Sequence, residues 1–219
     1  PEPVHALGTL IHTIEAYMAA AEATTEPEWL DRAEKMTAFA YKVASKNNWR
    51  IPEYYDEEWQ PSLEAGKLCN DGRRYHEGYV TGHSMQLARF TLQVRAGLRS
   101  MGWDVPDYLL EMGTELFERA RVDGWRRTGG APGFSTGVND QGDPVPGEDE
   151  HQQWVVCEGV CATVAVRRAM LDDGARVSDV EHFEHCYRSF VDYIHDYLIS
   201  QPGRWVRRLG PCLLYTSDA

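Results

Sequence analysis

Residues 81–121 read TGHSMQLARFTLQVRAGLRSMGWDVPDYLLEMGTELFERAR, and the spacing of their apolar residues indicates the fold class. Helical periodicity predicts one helix from Thr81 to Arg99 and a second from about Pro106 to Arg121. Two amphipathic helices joined by a short connection pack against each other through their apolar faces. The stretch is therefore predicted to be a helical hairpin.

Two more hairpins are predicted, one on each side of this stretch. The first opens with apolar residues at the spacing of one helix face, and Pro27 suits the first turn of its second helix, which continues to about Ser45. The third runs through residues 150–171 and 178–199, and the residues 201–203 (QPG) end it. The apolar positions that open the first hairpin are Leu7, Leu10, Ile11, Ile14 and Met18.

Long insertions separate the predicted hairpins. Residues 47–80 are rich in Gly, Pro, Asp, Glu and Tyr, and irregular stretches of this length are usually functional. Residues 133–136 and 143–145 are predicted to form a small β-hairpin around the turn at 139–142. Hairpins with insertions at the same kind of junction suit a toroid of paired helices, and a plain helical bundle or a solenoid is the competing architecture.

The composition excludes several classes of partner. The chain of 219 residues has a net charge of −12, and a surface this acidic repels phosphate backbones and anionic lipids. The sequence contains no apolar run that could span a bilayer, no secretory signal, and five cysteines without CxxC spacing. We therefore expect a cytoplasmic protein with reduced thiols, without a nucleic-acid partner or a membrane partner.

Both ends of the chain depart from the pattern between them. The chain begins without a methionine, and residues 211–219 resemble a translated cloning adapter. We expect one partial domain over residues 1–210 and a non-native tail over residues 211–219. We also expect that the chain is an internal piece of a longer protein.

His83 is the leading candidate for chemistry. Thr81 can cap the helix that starts here, which would place His83 in the first helical turn. The positive end of the helix dipole disfavours an imidazolium, so His83 is expected to stay neutral, as a general base must. A histidine that only caps the helix or fills the loop is the alternative.

Two further helix faces carry polar side chains among apolar neighbours. His12 and Glu15 are three residues apart, so the carboxylate can accept from the imidazole, or both groups can point into a cavity. A satisfied core pair is the alternative for them. Trp154 and Glu158 share a face of the fifth predicted helix, where a carboxylate is costly unless it is paired or faces a wet cavity.

Four short motifs resemble those of the N-acylglucosamine 2-epimerase family, which includes mannose isomerases, sulfoquinovose isomerases and cellobiose 2-epimerases. Residues 8–16 (GTLIHTIEA) resemble N-x-x-M-H-x-x-E-A, and residues 53–61 (EYYDEEWQP) resemble E-H-F-D-x-x-W-x-P. Residues 81–87 (TGHSMQL) resemble P-G-H-x-x-E-W, and residues 154–159 (WVVCEG) resemble W-x-x-x-E-A. The order and spacing of the motifs, over nearly the whole chain, carry the resemblance.

The resemblance implies an all-α fold, an incomplete (α/α)6 toroid of about three helical hairpins with a small β-hairpin insertion. It implies proton transfer next to the carbonyl of a sugar substrate, without a metal or any other cofactor. In the isomerases of the family one histidine moves a proton between C2 and C1 through a cis-enediol, whereas the epimerases use two histidines. A homodimer is an open expectation.

By position, the resemblance makes His83, Glu158 and His12 the candidate catalytic residues. Three positions depart from the family pattern: Gln86 stands where the family has a carboxylate, Gly8 where it has an asparagine, and Thr81 where it has a proline. An amide can orient a partner but cannot accept a proton. The second histidine of the epimerases falls beyond the end of the chain. The candidate substrate-binding residues are Arg73, Glu15, Gln86 and Trp154.

We predict an aldose–ketose isomerase of an unmodified hexose of the mannose/fructose type, because the loop from Asp56 to Pro61 resembles the isomerase branch of the family. A sugar 2-epimerase of the N-acylglucosamine or cellobiose type and a non-catalytic carbohydrate-binding relative are the alternatives. An (α/α)6 glycoside hydrolase with Glu15 and Glu158 as acid and base is a further class, but it leaves the histidines unexplained.

Overall fold

Three helical hairpins follow one another along the chain, as the sequence predicts. The computed structural model of the protein describes residues 5–62, 78–126 and 132–210, and six α-helices lie in these ranges. Their bounds agree with the periodicity of the sequence to within a few residues. The helices are α1 (Leu7–Thr24), α2 (Pro27–Ala44), α3 (Thr81–Ser100), α4 (Tyr108–Gly124), α5 (Gln153–Asp172) and α6 (Glu181–Tyr193).

Local sequence explains where several of these helices begin and end. Pro27 occupies the first helical position of α2, as predicted, because its fixed φ suits a helix start. The helix α1 ends where Thr25 adopts a left-handed conformation with φ 58° and donates its N–H to the oxygen of Ala21 at 2.9 Å. A 3-10 turn (Val177–Val180) precedes α6, and a π-helical turn (Ile194–Leu198) continues it.

The first helices of the three hairpins lie side by side. The helix α3 packs against α1 and α5 as well as against α4, the second helix of its own hairpin. The second helices therefore form an outer layer on the first, and the apolar faces of the two layers make the core. The largest fully buried side chains include Tyr55, Phe90, Phe117, Phe134 and Phe190.

Short antiparallel strand pairs close each hairpin at the same end. A strand just before the first helix pairs with a strand that follows the second helix. These pairs are β1 (His5–Ala6) with β2 (Tyr54–Tyr55), β3 (Tyr79–Val80) with β6 (Gly137–Val138), and β7 (His151–Gln152) with β10 (Arg208–Leu209). The insertions that follow the hairpins are thereby gathered at one end of the helices.

Loops that follow the second helices accept a hydrogen bond from the first backbone N–H of α1, α3 and α5, which are the first helices of the three hairpins. Leu7 N–H donates to the backbone oxygen of Glu53 at 2.8 Å, and the corresponding amides of α3 and α5 donate to loop carbonyls at 3.0 Å each. The prediction that Thr81 caps α3 is wrong, because Thr81 is already the first helical residue and no side chain caps this helix. Its hydroxyl instead donates to the backbone oxygen of Ser135 at 2.7 Å.

The insertions contain the predicted turns. The Asn139 side chain accepts from two backbone amides of the turn, and Val138 and Pro144 are bridged across it. The prediction that residues 133–136 form the first strand of this hairpin is wrong, because residues 137–139 pair with residues 143–145. The strand β5 (Gly133–Phe134) pairs instead with β4 (Trp125–Arg126) at the end of α4. After α6, the strands β8 (Ile199–Gln201) and β9 (Arg204–Trp205) form a hairpin through the predicted break at Pro202 and Gly203.

A buried ion pair ties the loop after α2 to the end of α4. Arg50 donates to the two carboxylate oxygens of Asp123 at 2.7 and 3.0 Å, and both side chains are buried. Removing one partner would leave an unpaired charge in the interior, which is far more costly than losing a surface ion pair. The pair therefore fixes the position of the loop that leads to residue 53.

Across the three described ranges, every helix is too short or too polar to cross a lipid bilayer.

Candidate active site

The imidazole of His83 contacts a buried carboxylate at the start of α3. Nδ1 of His83 lies 2.7 Å from Oε2 of Glu53, whose residue is only 4% exposed. His83 is the third residue of α3, so its predicted place in the first helical turn is confirmed. In the neutral ring the carboxylate accepts the proton on Nδ1, and Nε2 then carries the lone pair that can accept another proton.

Hydrogen bonds hold both the side chain and the backbone of Glu53. Its Oε1 accepts the N–H of Val80 at 3.2 Å, and its backbone oxygen accepts the N–H of Leu7. The starts of α1 and α3 are thus tied to the residue that holds His83. The electrostatic effects on the ring oppose each other, since the helix start disfavours a positive His83 and the carboxylate of Glu53 stabilises one.

Two tyrosines, Tyr55 on β2 and Tyr79 on β3, interact with each other, and Tyr55 also interacts with Glu53. Burial raises the pKa of Tyr55, and the charge of Glu53 raises it further. Burial also raises the pKa of Tyr79, and its hydroxyl donates to Oδ1 of Asp140 at 2.6 Å. Both phenols are therefore neutral hydroxyl groups.

Trp154, at the start of α5, covers one side of His83. The two ring centroids are 5.4 Å apart with the planes inclined by 46°. The indole also packs directly on Gly82, where a Cβ would lie 2.4 Å from two ring carbons of Trp154. Gly82 is therefore required for the close approach of the indole, whose N–H donates to the side-chain oxygen of Gln152 at 2.7 Å.

Glu158 forms a polar network with two residues of α3. Nε and Nη2 of Arg89 donate to its two oxygens at 2.9 and 3.1 Å, and Nε2 of Gln86 donates to Oε1 at 3.3 Å. The side chains of Arg89 and Glu158 are each 18% exposed. The sequence argument that a carboxylate at this position needs a partner is met by the guanidinium of Arg89.

His12 and Glu15 form the predicted pair on α1, but the pair is exposed. Nδ1 of His12 lies 3.0 Å from Oε2 of Glu15, and the side chains are 64% and 49% exposed. The alternative of a satisfied core pair is therefore wrong. Gly8 faces His83, and His12 lies one helical turn after Gly8. His12 and Glu15 therefore share the face of α1 that Gly8 presents to His83.

Two members of the site were not among the predicted residues. Glu53 follows Pro52 and precedes two tyrosines, and a carboxylate among such neighbours signals a buried group that needs a partner. Arg89 stands three residues after Gln86, so helical spacing alone puts the two side chains on one face. The predicted residue Arg73 lies outside the described residues.

The structure thus brings four of the predicted residues, His83, Trp154, Gln86 and Glu158, together where α3 and α5 meet. The site contains an imidazole whose Nδ1 lies against a buried carboxylate, an aromatic face, and a carboxylate paired with a guanidinium. Aromatic faces pack on the C–H faces of flat polar molecules, and a neutral imidazole can take up a proton. The arrangement suits proton transfer on a molecule that carries several hydroxyl groups.

A family model and curated relatives match this chain over almost its whole length. The model of N-acylglucosamine 2-epimerase (GlcNAc 2-epimerase) matches residues 6–212. The D-mannose isomerase of Thermobifida fusca is 30% identical over 216 residues, which are 97% of this chain and 49% of that protein. The D-mannose isomerase of Pseudomonas cannabina pv. alisalensis is 29% identical over 212 residues, or 95% of this chain and 48% of that protein. The chain spans about half the length of these curated relatives.

Solved structures share the fold. A crystal structure of D-mannose isomerase matches with a TM-score of 0.81 and 23% identity, over 97% of this chain and 51% of the other. Cellobiose 2-epimerase from Bacillus thermoamylovorans B4167 matches with a TM-score of 0.67 and 14% identity, over 98% of this chain and 48% of the other. These matches confirm the predicted all-α architecture, an incomplete (α/α)6 toroid. Since the family model covers nearly the whole chain, this chain belongs to the N-acylglucosamine 2-epimerase family.

Proposed function

We propose that this chain is part of an aldose–ketose isomerase that acts on an unmodified hexose such as D-mannose. The observation that carries the proposal is the contact of 2.7 Å between Nδ1 of His83 and the buried carboxylate of Glu53. The names of the curated relatives, which are D-mannose isomerases, support the same reaction class.

His83 is proposed to move the proton. With Nδ1–H donated to Glu53, Nε2 can remove the proton from C2 of the open-chain aldose, and a cis-enediol forms as the carbonyl oxygen on C1 takes a proton from water. The same nitrogen then returns the proton to C1 while the hydroxyl group on C2 releases its proton to water, which yields the ketose. A base held in one orientation loses little entropy when the substrate arrives, and such a group accelerates proton transfer by about 10²–10⁴-fold.

The groups around His83 are proposed to bind the sugar. Trp154 offers its ring to the C–H face of the sugar, while Glu158 accepts hydrogen bonds from hydroxyl groups. Because Arg89 holds both oxygens of Glu158, we assign this carboxylate to the hydroxyls of the substrate rather than to the proton on carbon. Gln86, which donates to Glu158, takes part as an orienting amide.

His12 and Glu15 are proposed to act at a distance from the transferred proton. Their side chains are exposed on α1, one turn beyond Gly8, and we expect them to line the cavity that receives the far end of the sugar. A catalytic role for His12 would need a second substrate contact opposite His83, as in an epimerase. Arg73 stays a predicted substrate ligand.

Exchange of hydrogen at C2 tests the proposal. The protein is incubated in deuterated water with D-mannose and several other unmodified hexoses, and NMR follows loss of the C2 proton and appearance of the ketose. We expect both in the unaltered protein, and neither in His83→Gln. The matched control is His195→Gln, because His195 is an exposed histidine at the end of the last helix.

The products separate the isomerase from its alternatives. An epimeric aldose without ketose would identify a 2-epimerase. Binding of hexoses without any exchange at C2 would identify a carbohydrate-binding relative and overturn the proposed reaction. Full turnover by His83→Gln, with an unchanged circular dichroism spectrum, would overturn the assignment of His83. The homodimer and the cytoplasmic location stay predictions, and size-exclusion chromatography tests the first.

A further inference from the structure

The last turn of α4 holds the loop that carries Glu53. Asp123 accepts two hydrogen bonds of 2.7 and 3.0 Å from Arg50, which precedes Glu53 by three residues. One turn earlier on α4, Arg119 donates to the side-chain oxygen of Asn48 at 3.1 Å. Arg50 is 8% exposed and Asp123 is 6% exposed, so salt and water screen this ion pair much less than a surface pair. The position of the loop is therefore set by α4.

The same turn of α4 holds the start of α3. The backbone oxygen of Gly124 accepts the N–H of Ser135 at 3.1 Å, and the backbone oxygen of Ser135 accepts the hydroxyl of Thr81 at 2.7 Å. Gly124 also packs directly on Thr81, since a Cβ at residue 124 would lie 2.8 Å from Cγ2 and 3.2 Å from Cβ of Thr81. Thr81 is the first residue of α3, and His83 is the third. The contacts of Gly124 therefore place the helical turn that carries His83.

Two adjacent residues of one helix thus act on both partners of the contact between His83 and Glu53. Nδ1 of His83 lies 2.7 Å from Oε2 of Glu53, and one residue belongs to a helix while the other belongs to a loop. Hydrogen bonds weaken steeply as their distance and angle depart from the optimum, so the contact tolerates little relative displacement of the loop and the helix. The end of α4 contacts both of these segments and keeps them in register.

We propose that Asp123 and Gly124 are positioning residues for the contact between His83 and Glu53. Asp123 places the loop of Glu53, Gly124 places the start of α3, and together they set the distance between the carboxylate and the imidazole. Both act on the reaction through the orientation of the imidazole rather than by contact with the sugar. This inference rests on the proposed function, and it makes proton transfer depend on α4, a helix of the outer layer.

Gly124→Ala and Gly113→Ala are a matched pair of variants. Both add a methyl group where α4 packs against α3, since a Cβ at residue 113 would lie 2.6 Å from Cγ of Leu92. The two positions are about three helical turns apart, so only Gly124→Ala displaces the residues next to His83. In the exchange assay with D-mannose we expect kcat of Gly124→Ala to fall about tenfold or more, as for other small misplacements of a catalytic group, with KM little changed. Gly113→Ala is expected to keep the kcat of the unaltered protein.

Asp123→Asn and Asp173→Asn are a second pair, which changes charge without adding atoms to the core. Asp123→Asn removes the charge that pairs with Arg50, and Asp173→Asn removes the charge that pairs with Arg95 near the other end of α3. We expect a lower kcat only in Asp123→Asn. Urea unfolding of all four variants lets the loss of activity be compared with the loss of stability. If Gly124→Ala does not fold, Asp123→Asn decides the question.

A second readout does not depend on turnover. Nitrogen-15 NMR reports how the proton of neutral His83 is divided between Nδ1 and Nε2, and a weaker contact with Glu53 leaves Nδ1 a smaller share. We expect this share to fall in Gly124→Ala and in Asp123→Asn, and to stay unchanged in Gly113→Ala and Asp173→Asn. A purely structural role would lower stability without moving this signal in the folded protein.

The outcomes distinguish the positioning role from the proposed function. An unchanged kcat and an unchanged proton distribution in both Gly124→Ala and Asp123→Asn would overturn the positioning role and leave the isomerase proposal intact. Equal effects in Gly113→Ala and Asp173→Asn would also overturn it, because any loss of stability would then be sufficient. Absence of exchange with every hexose in the unaltered protein would overturn the proposed function, and the proton distribution of His83 would still decide the role of α4.

Discussion

Glu53→Gln is the most informative single change, because glutamate and glutamine differ in the number of acceptor oxygens. Oε1 of Glu53 accepts from the Val80 amide at 3.2 Å, and Oε2 pairs with Nδ1 of His83 at 2.7 Å. Glutamine has one acceptor oxygen and one NH2 donor group. It can satisfy either Val80 or the proton on Nδ1 of His83, but not both.

The energies decide which contact survives. Val80 is 1% exposed, and an unsatisfied buried amide costs about 1–3 kcal/mol. The proton of a neutral imidazole can instead move from Nδ1 to Nε2, which lets Nδ1 accept from the new NH2 group. We therefore expect the glutamine oxygen to stay on Val80 and its NH2 group to donate to Nδ1, so that the proton of His83 moves to Nε2. The base would be lost with little loss of stability, and the rate of exchange would fall by about 10²–10⁴-fold.

Three measurements check this chain of reasoning. Nitrogen-15 NMR reports which ring nitrogen of His83 carries the proton, C2 exchange reports activity, and urea unfolding reports stability. Asp196→Asn is the matched control, because Oδ1 of Asp196 lies 3.0 Å from Nδ1 of the exposed His195. If Glu53→Gln kept the exchange rate of the unaltered protein, the role given to this contact would be refuted.

Three more changes have defined outcomes. Gly82→Ala is expected to lower the free energy of unfolding by about 1–3 kcal/mol, because the new Cβ would overlap the indole of Trp154, and an unchanged urea midpoint would contradict this packing. Asp123→Ala leaves the charge of Arg50 buried and unpaired, so we expect a loss of about 3–5 kcal/mol in the same assay, and a loss under about 1 kcal/mol would mean that water reaches the guanidinium. The hydrogen bond from Arg95 is the chief reason why the pKa of Asp173 is lowered in the folded protein. Asp173 therefore stabilises the fold above its pKa in the unfolded chain, and this stabilisation is lost as the pH falls through its pKa in the folded protein. Asp173→Asn is expected to make the melting temperature fall less steeply with pH on the acid side.

The helical part of the fold follows from the sequence because apolar periodicity is a local property. Pro27 and the apolar residues from Leu7 to Met18 specify a helix and its successor without any knowledge of distant contacts. The helix starts are different, since Thr81 has the residue type of a cap and yet donates to Ser135, far away in the chain. Propensity was overridden there by a loop that the sequence alone does not position.

The candidate site was predictable in part for the same reason. His83 and Gln86 are neighbours on one helix, and Trp154 and Glu158 are neighbours on another, so spacing groups them correctly within each helix. The partner of His83 comes from a loop thirty residues earlier, as the Glu53 contact records. Contacts between a loop and a helix depend on tertiary packing, and no periodicity in the sequence encodes them.

The strand pairs that close the hairpins have a consequence for how such a protein can diversify. Each pair joins the residues just before the first helix of a hairpin to residues in the loop after its second helix, as β3 and β6 do for α3 and α4. The segments beyond those clamps can change in length and composition while the helix starts keep their geometry. Changes in these loops can therefore alter what the site binds while His83 keeps its place at the start of α3.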